Sequence, residues 1–223
     1  MCFTPYVSLA TFVIEISLAI FFLLKSPKDK LNRIIALIAF LLGFYQLNEF
    51  LICTIGANIF TKLALITVAI LPSLAITYTL IILRKKINII WHFLIYIPSA
   101  FFILMAIISS VYKQPAICST VFIQYPYAGL IGKFFGLYYA IFLAASVILF
   151  YLASFKTKTK QEKTMHLLGM LGILLFTVPT YIFLLFLPAL QIKTSSILCE
   201  FALLLSIEFI IVLWYKQKHN LHY

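Results

Sequence analysis

Long apolar runs alternate with short polar segments, most of them basic, along the whole chain. A transmembrane helix needs about 20 mostly apolar residues. Seven runs meet that length: roughly 5–24, 34–54, 62–83, 88–110, 131–154, 167–188 and 195–215. Thr4 and Pro5 suit the start of the first, with Thr as N-cap and Pro at the first helical position. Thr61 stands where a cap for the third is expected. Pro72, Pro98 and Pro179 fall inside runs and are expected to kink them.

Composition supports this pattern. The chain is 64% hydrophobic and only 10% charged, against roughly 45–50% and about 25% in soluble domains. The expectation is one all-α domain over residues 1–223, a polytopic seven-transmembrane-helix bundle whose first partner is the lipid bilayer. The formal charge of +11 does not point to nucleic acid, because the basic residues lie in the short segments between runs. Thirteen Lys and Arg fall on one side: Lys25 to Arg33, Arg84 to Lys86, Lys156 to Lys163, and Lys216 with Lys218. Four fall on the other: Lys62, Lys113, Lys133 and Lys193. The positive-inside rule then puts the N-terminus outside and the C-terminus in the cytoplasm of a bacterial cell membrane. The first run reads as a retained span, since a signal peptide carries its positive charge ahead of the apolar stretch and here Lys25 follows it.

The polar positions inside the runs carry the candidate chemistry. Gln46, Glu49 and Cys53 are spaced i, i+3, i+7 and share one helical face. Thr4, Ser8, Thr11 and Glu15 make a polar stripe on the first run. Glu200 and Glu208 lie on the last run, and Glu208 is the doubtful member of any shared group. A carboxylate in a lipid-buried segment is costly, so it faces other helices, a partner or a water-filled cavity. Two arrangements remain open. Either the polar groups make separate interhelical hydrogen bonds, or Glu15, Gln46, Glu49, Cys199 and Glu200 line one outer cavity beneath Tyr125 of the long outer loop.

All four cysteines, Cys2, Cys53, Cys118 and Cys199, sort to the outer side, where an oxidising compartment allows disulfides; three full pairings exist. Paired C-x₂₋₄-C spacing is absent, so no metal site is expected. His92, His166, His219 and His222 all sort to the cytoplasmic side, away from the outer cavity. No cofactor motif and no recognised catalytic motif is present, and the catalytic residues of any reaction stay unknown.

Several of these residues carry a resemblance. Met1-Cys2-Phe3-Thr4, Gln46-Leu47-Asn48-Glu49 and Ser196-Ile197-Leu198-Cys199 resemble the motifs of a family of small uncharacterised bacterial seven-span proteins. Its members begin Met-Cys-Phe-Ser, with Gln-x-x-Glu in the second span and Ser-x-x-Cys-Phe opening the last. Phe50, Leu198 and Glu200 depart from that pattern. Asn32-Arg33 and Leu71-Pro72 give a looser resemblance to the seven-span sensor region of bacterial histidine kinases. The motif match singles out Cys2 and Cys199 as a disulfide or redox pair, leaving Cys53 and Cys118 unpaired. The functional expectation is a ligand-binding or sensory module taking a small ligand from the outer side, with a cytoplasmic signalling partner. The alternatives are a membrane-embedded enzyme using Glu49 with Cys2 or Cys199, and a small proton-coupled transporter.

Overall fold

The computed structural model describes residues 4–85, 88–108, 117–118, 123–124, 130–186 and 201–221. Apart from one short strand pair and the connecting turns, these residues are helical. In order, the helices are α1 (Thr4–Lys25), α2 (Lys30–Ile55), α3 (Asn58–Ile82), α4 (Ile89–Ile108), α5 (Leu130–Lys156), α6 (Lys160–Phe186) and α7 (Ala202–Lys218). Between α4 and α5, β1 (Ile117–Cys118) pairs antiparallel with β2 (Ile123–Gln124). Among the described residues five helices, α1 to α5, are long and apolar enough to cross a membrane, and the protein is membrane-embedded.

The turns follow from their residues. Asp29 is extended and caps α2, its side chain accepting from the Asn32 backbone N–H at 3.0 Å. Gly56 ends α2 at φ 71, a left-handed conformation that suits glycine, and its N–H donates to Ile52 O. Only Ala57 separates it from α3, so α2 and α3 form a tight antiparallel hairpin. Ala57, not Thr61, is the N-cap of α3; Thr61 is buried within the helix. Pro72, Pro98 and Pro179 all lie inside helices.

α2 and α3 form the centre. Their buried side chains, such as Leu42, Tyr45, Val68 and Tyr78, join Phe150 of α5, Met165 of α6 and Phe209 of α7 in one core. The periphery exposes large apolar groups, among them Trp91, Phe93 and Phe101 of α4, Tyr151 of α5 and Trp214 of α7. In water such a surface would be a liability; against lipid it costs nothing.

Two ion pairs gather the basic segments. Lys216 of α7 lies 2.6 Å from Asp29 between α1 and α2. Arg84, after α3, lies 2.9 Å from Glu162 of α6. These contacts link the α1–α2 connection to the end of α7, and the α3–α4 connection to the α5–α6 connection. We call this the basic end.

Candidate functional site

On α1, Ser8, Thr11, Glu15, Ala19 and Phe22 are buried, following steps of three and four that make one helical face. That face packs on α2. A Cβ on Gly43 would lie 3.2 Å from Ile16 and 3.3 Å from the Glu15 Cβ, so the two helices approach closely at the height of Glu15. Glu15 is fully buried, and neither of its carboxylate oxygens has a hydrogen-bond partner among the described residues.

Gln46 and Glu49 of α2 are also buried, and Cys53 is half-buried. Tyr45, one turn before Glu49, donates its hydroxyl to Glu49 Oε1 at 2.7 Å. At about 1.5 Å per residue, Glu49 stands about 28 Å along α2 from Lys30, whereas Glu15 is about 15 Å from Lys25. Glu49 is therefore near the end opposite the basic one, and Glu15 is near mid-height. Glu15, Gln46 and Glu49 all face the protein interior. Cys2, Tyr125, Cys199 and Glu200 lie outside the described residues.

Cys53 corrects one expectation: it is disulfide-bonded rather than unpaired. Its sulfur stands two residues from the end of α2, at the end of the bundle opposite the basic one.

Glu208 sits apart, at the junction of α3, α6 and α7. It is buried, and Tyr78 of α3 donates its hydroxyl to Glu208 Oε1 at 3.4 Å, a long hydrogen bond. Its Oε2 is unpartnered among the described residues. On the other side is Gly172 of α6, where a Cβ would run into the Glu208 carboxyl; only glycine leaves room for that carboxyl as it stands. Beside the junction is a small cavity of about 40 Å³, walled by Leu42, Leu71, Tyr78, Tyr139, Phe176 and Phe209.

A second polar group was not legible in the chain. Tyr138 of α5 donates to Ala69 O at 2.9 Å and lies 2.8 Å from Ser99 and 3.2 Å from Ser73, which are themselves 2.6 Å apart. It ties α3, α4 and α5 together in otherwise apolar surroundings. The Tyr45–Glu49 pair did carry a signal, being spaced i, i+4 on one helix.

Among the described residues no group of His, Cys, Asp and Glu is arranged to hold a metal ion. Comparison with family models, curated proteins and solved structures gave no match to this chain.

Proposed function

We propose that the chain is a seven-span bundle that binds a small ligand in a polar pocket between α1, α2 and α7, and that it serves as a ligand-binding or sensory module. The observation carrying this reading is Glu15. A fully buried carboxyl without a hydrogen-bond partner among the described residues is expensive to keep. Gln46 and Glu49 also turn inward, on the helix that packs against α1. Cys199 and Glu200, which precede α7 in sequence, and Tyr125 are proposed as further members of the ligand-binding set.

The same reading orients the bundle with its basic end in the cytoplasm. The Cys53 disulfide supports it independently, because disulfides persist on the oxidising side of a membrane. Reporter fusions after residues 30 and 160 are expected to report cytoplasm, and one after 118 the outside; a cytoplasmic report at 118 overturns the orientation.

The pocket is tested by purifying wild type and Glu15→Gln and Glu49→Gln, then extracting bound small molecules for mass spectrometry. Wild type is expected to release a compound that both variants lack while all three melt as folded proteins. The same extract from all three, with only a changed melting temperature, means the acids serve packing alone.

A further inference from the structure

α4 and α5 both pack on α3. They meet each other through rings: Phe102 lies 5.1 Å from Phe135 and 5.3 Å from Tyr138, centroid to centroid. Between them runs a furrow of about 450 Å³. Phe101 forms one wall, Phe134, Leu137 and Ile141 the other, and Phe102 with Tyr138 the floor. The walls are hydrocarbon and aromatic ring. The Tyr138 hydroxyl is spent beneath the floor on Ala69 O and Ser99. All four wall residues are about half exposed, so the furrow opens sideways, away from the bundle.

Its length and its mouth say what fits. Along α5 the furrow runs from Ile131 to Phe142, about 16 Å at 1.5 Å per residue. That is roughly one leaflet of a ~30 Å hydrocarbon core. It occupies the half of α5 farther from Lys156, hence the half away from the basic end. Lys133 is exposed there. It precedes Leu137 and Ile141 by one and two i+4 steps, so it heads the same stripe as that wall. Lys62 of α3 is near the same end of α4, donating its Nζ to Ile107 O at 3.1 Å. Neither α4 nor α5 contains an acidic residue to oppose an anion.

The geometry points to a lipid site: an acyl chain of an anionic glycerophospholipid lies in the α4–α5 furrow, with its phosphate at Lys133. An apolar slot one leaflet deep takes the chain. A lysine at the level of the head groups favours a net-negative head over a zwitterionic one.

The test uses the full chain in nanodiscs of equal parts phosphatidylcholine and phosphatidylglycerol, with native mass spectrometry of the lipids retained on release. Wild type is expected to retain phosphatidylglycerol about fivefold over phosphatidylcholine, the preference one lysine at a membrane surface supplies. Lys133→Gln is expected to keep lipid but bring the ratio to parity. Ile141→Trp, which fills the furrow, is expected to lower retention of both lipids. Both residues are exposed, so the melting temperature checks that each variant is folded. Equal retention by wild type, an undiminished preference in Lys133→Gln, or full retention by Ile141→Trp overturns the site.

Discussion

Glu15 and Glu208 stand in matching positions and are held in different ways. Each lies about 15 Å along its helix, at ~1.5 Å per residue, from a lysine at the basic end, Lys25 or Lys218. Each is buried against a glycine of a neighbouring helix, Gly43 or Gly172. The Glu208 carboxyl itself fills the Gly172 notch and receives the Tyr78 hydroxyl. At Gly43 the close neighbours are Ile16 and only the Cβ of Glu15, and the Glu15 carboxyl has no partner among the described residues. Glu208 is therefore built into the packing of α3, α6 and α7. Glu15 is placed by the α1–α2 contact but not satisfied by it, and this is why the pocket proposal rests on Glu15.

Substitution at the two glycines breaks that comparison most sharply. Gly172→Ala puts a Cβ on the Glu208 carboxyl, and the carboxyl has to move within a buried site. Overpacking costs about 1–3 kcal/mol and helix propensity returns about 1 kcal/mol, so a net loss of up to about 2 kcal/mol is expected. Gly43→Ala asks Ile16 and the Glu15 Cβ for a few tenths of an ångström each and gains about 1 kcal/mol of helix propensity, so it should be close to neutral. Thermal melts of both variants in one detergent decide it; equal losses would mean the two acids are packed alike.

Replacing the acids themselves sharpens it. Glu15→Met removes a buried carboxyl with no partner among the described residues and is expected to raise stability by about 1–3 kcal/mol. Glu208→Met also gives up the Tyr78 bond and should gain less. If Glu15→Met melts lower than wild type, the carboxyl has a structural partner and the ligand argument loses its footing.

The helices were legible because apolar runs of spanning length leave few alternatives to a helix, but their polar ends were not. The run read as 167–188 belongs to a helix that starts at Lys160, because Thr159 and Glu162 bond each other and Thr159 Oγ1 accepts from the Glu162 N–H. Thr-x-x-Glu is a capping signal visible in the chain, but it lies ahead of the apolar run and hydrophobicity alone does not mark it. The burial of Ser8, Thr11 and Glu15 followed from their spacing, and so did that of Gln46 and Glu49. The match of Gly172 to Glu208 had no such signal, since it pairs residues of two helices whose rotation is set only by packing. Cys53 escaped for a related reason: motif resemblance ranked the cysteines, but bonding depends on which ends come together.

The basic end holds a second contrast of the same kind, and a smaller effect. Lys216 is nearly buried and also donates to Asn32 Oδ1 at 3.2 Å, while Asn32 in turn donates to Phe22 O. This locks α7 to the α1–α2 turn. Arg84 and Glu162 are substantially exposed. A double-mutant cycle on Lys216→Met and Asp29→Asn is expected to give a coupling above about 1 kcal/mol. The cycle on Arg84→Gln and Glu162→Gln should give about 0.2–1 kcal/mol that fades with salt. Equal couplings would reduce Lys216 to a topology signal.

The smallest effect concerns His166, which precedes the apolar run of α6 at the basic end. Its ring is buried and its Nδ1 lies 3.2 Å from Thr157 Oγ1. Burial pushes its pKa below the ordinary histidine value; Glu162 and a bond to the Ala153 backbone oppose that, and Arg84 adds to it. The folded protein therefore binds this proton less readily than the unfolded chain does. Stability from this group is fully present above the unfolded pKa of about 6.5 and is lost as the pH falls through the folded value. Melting temperature is expected to drop below about pH 6.5 in wild type and to drop less in His166→Gln. Glu162→Gln separates burial from charge. It removes the group that favours the protonated ring, so its acid-side loss should exceed that of wild type. A smaller loss would mean the ion pair with Arg84 sets the pH response at this end of the bundle, and burial of the imidazole does not.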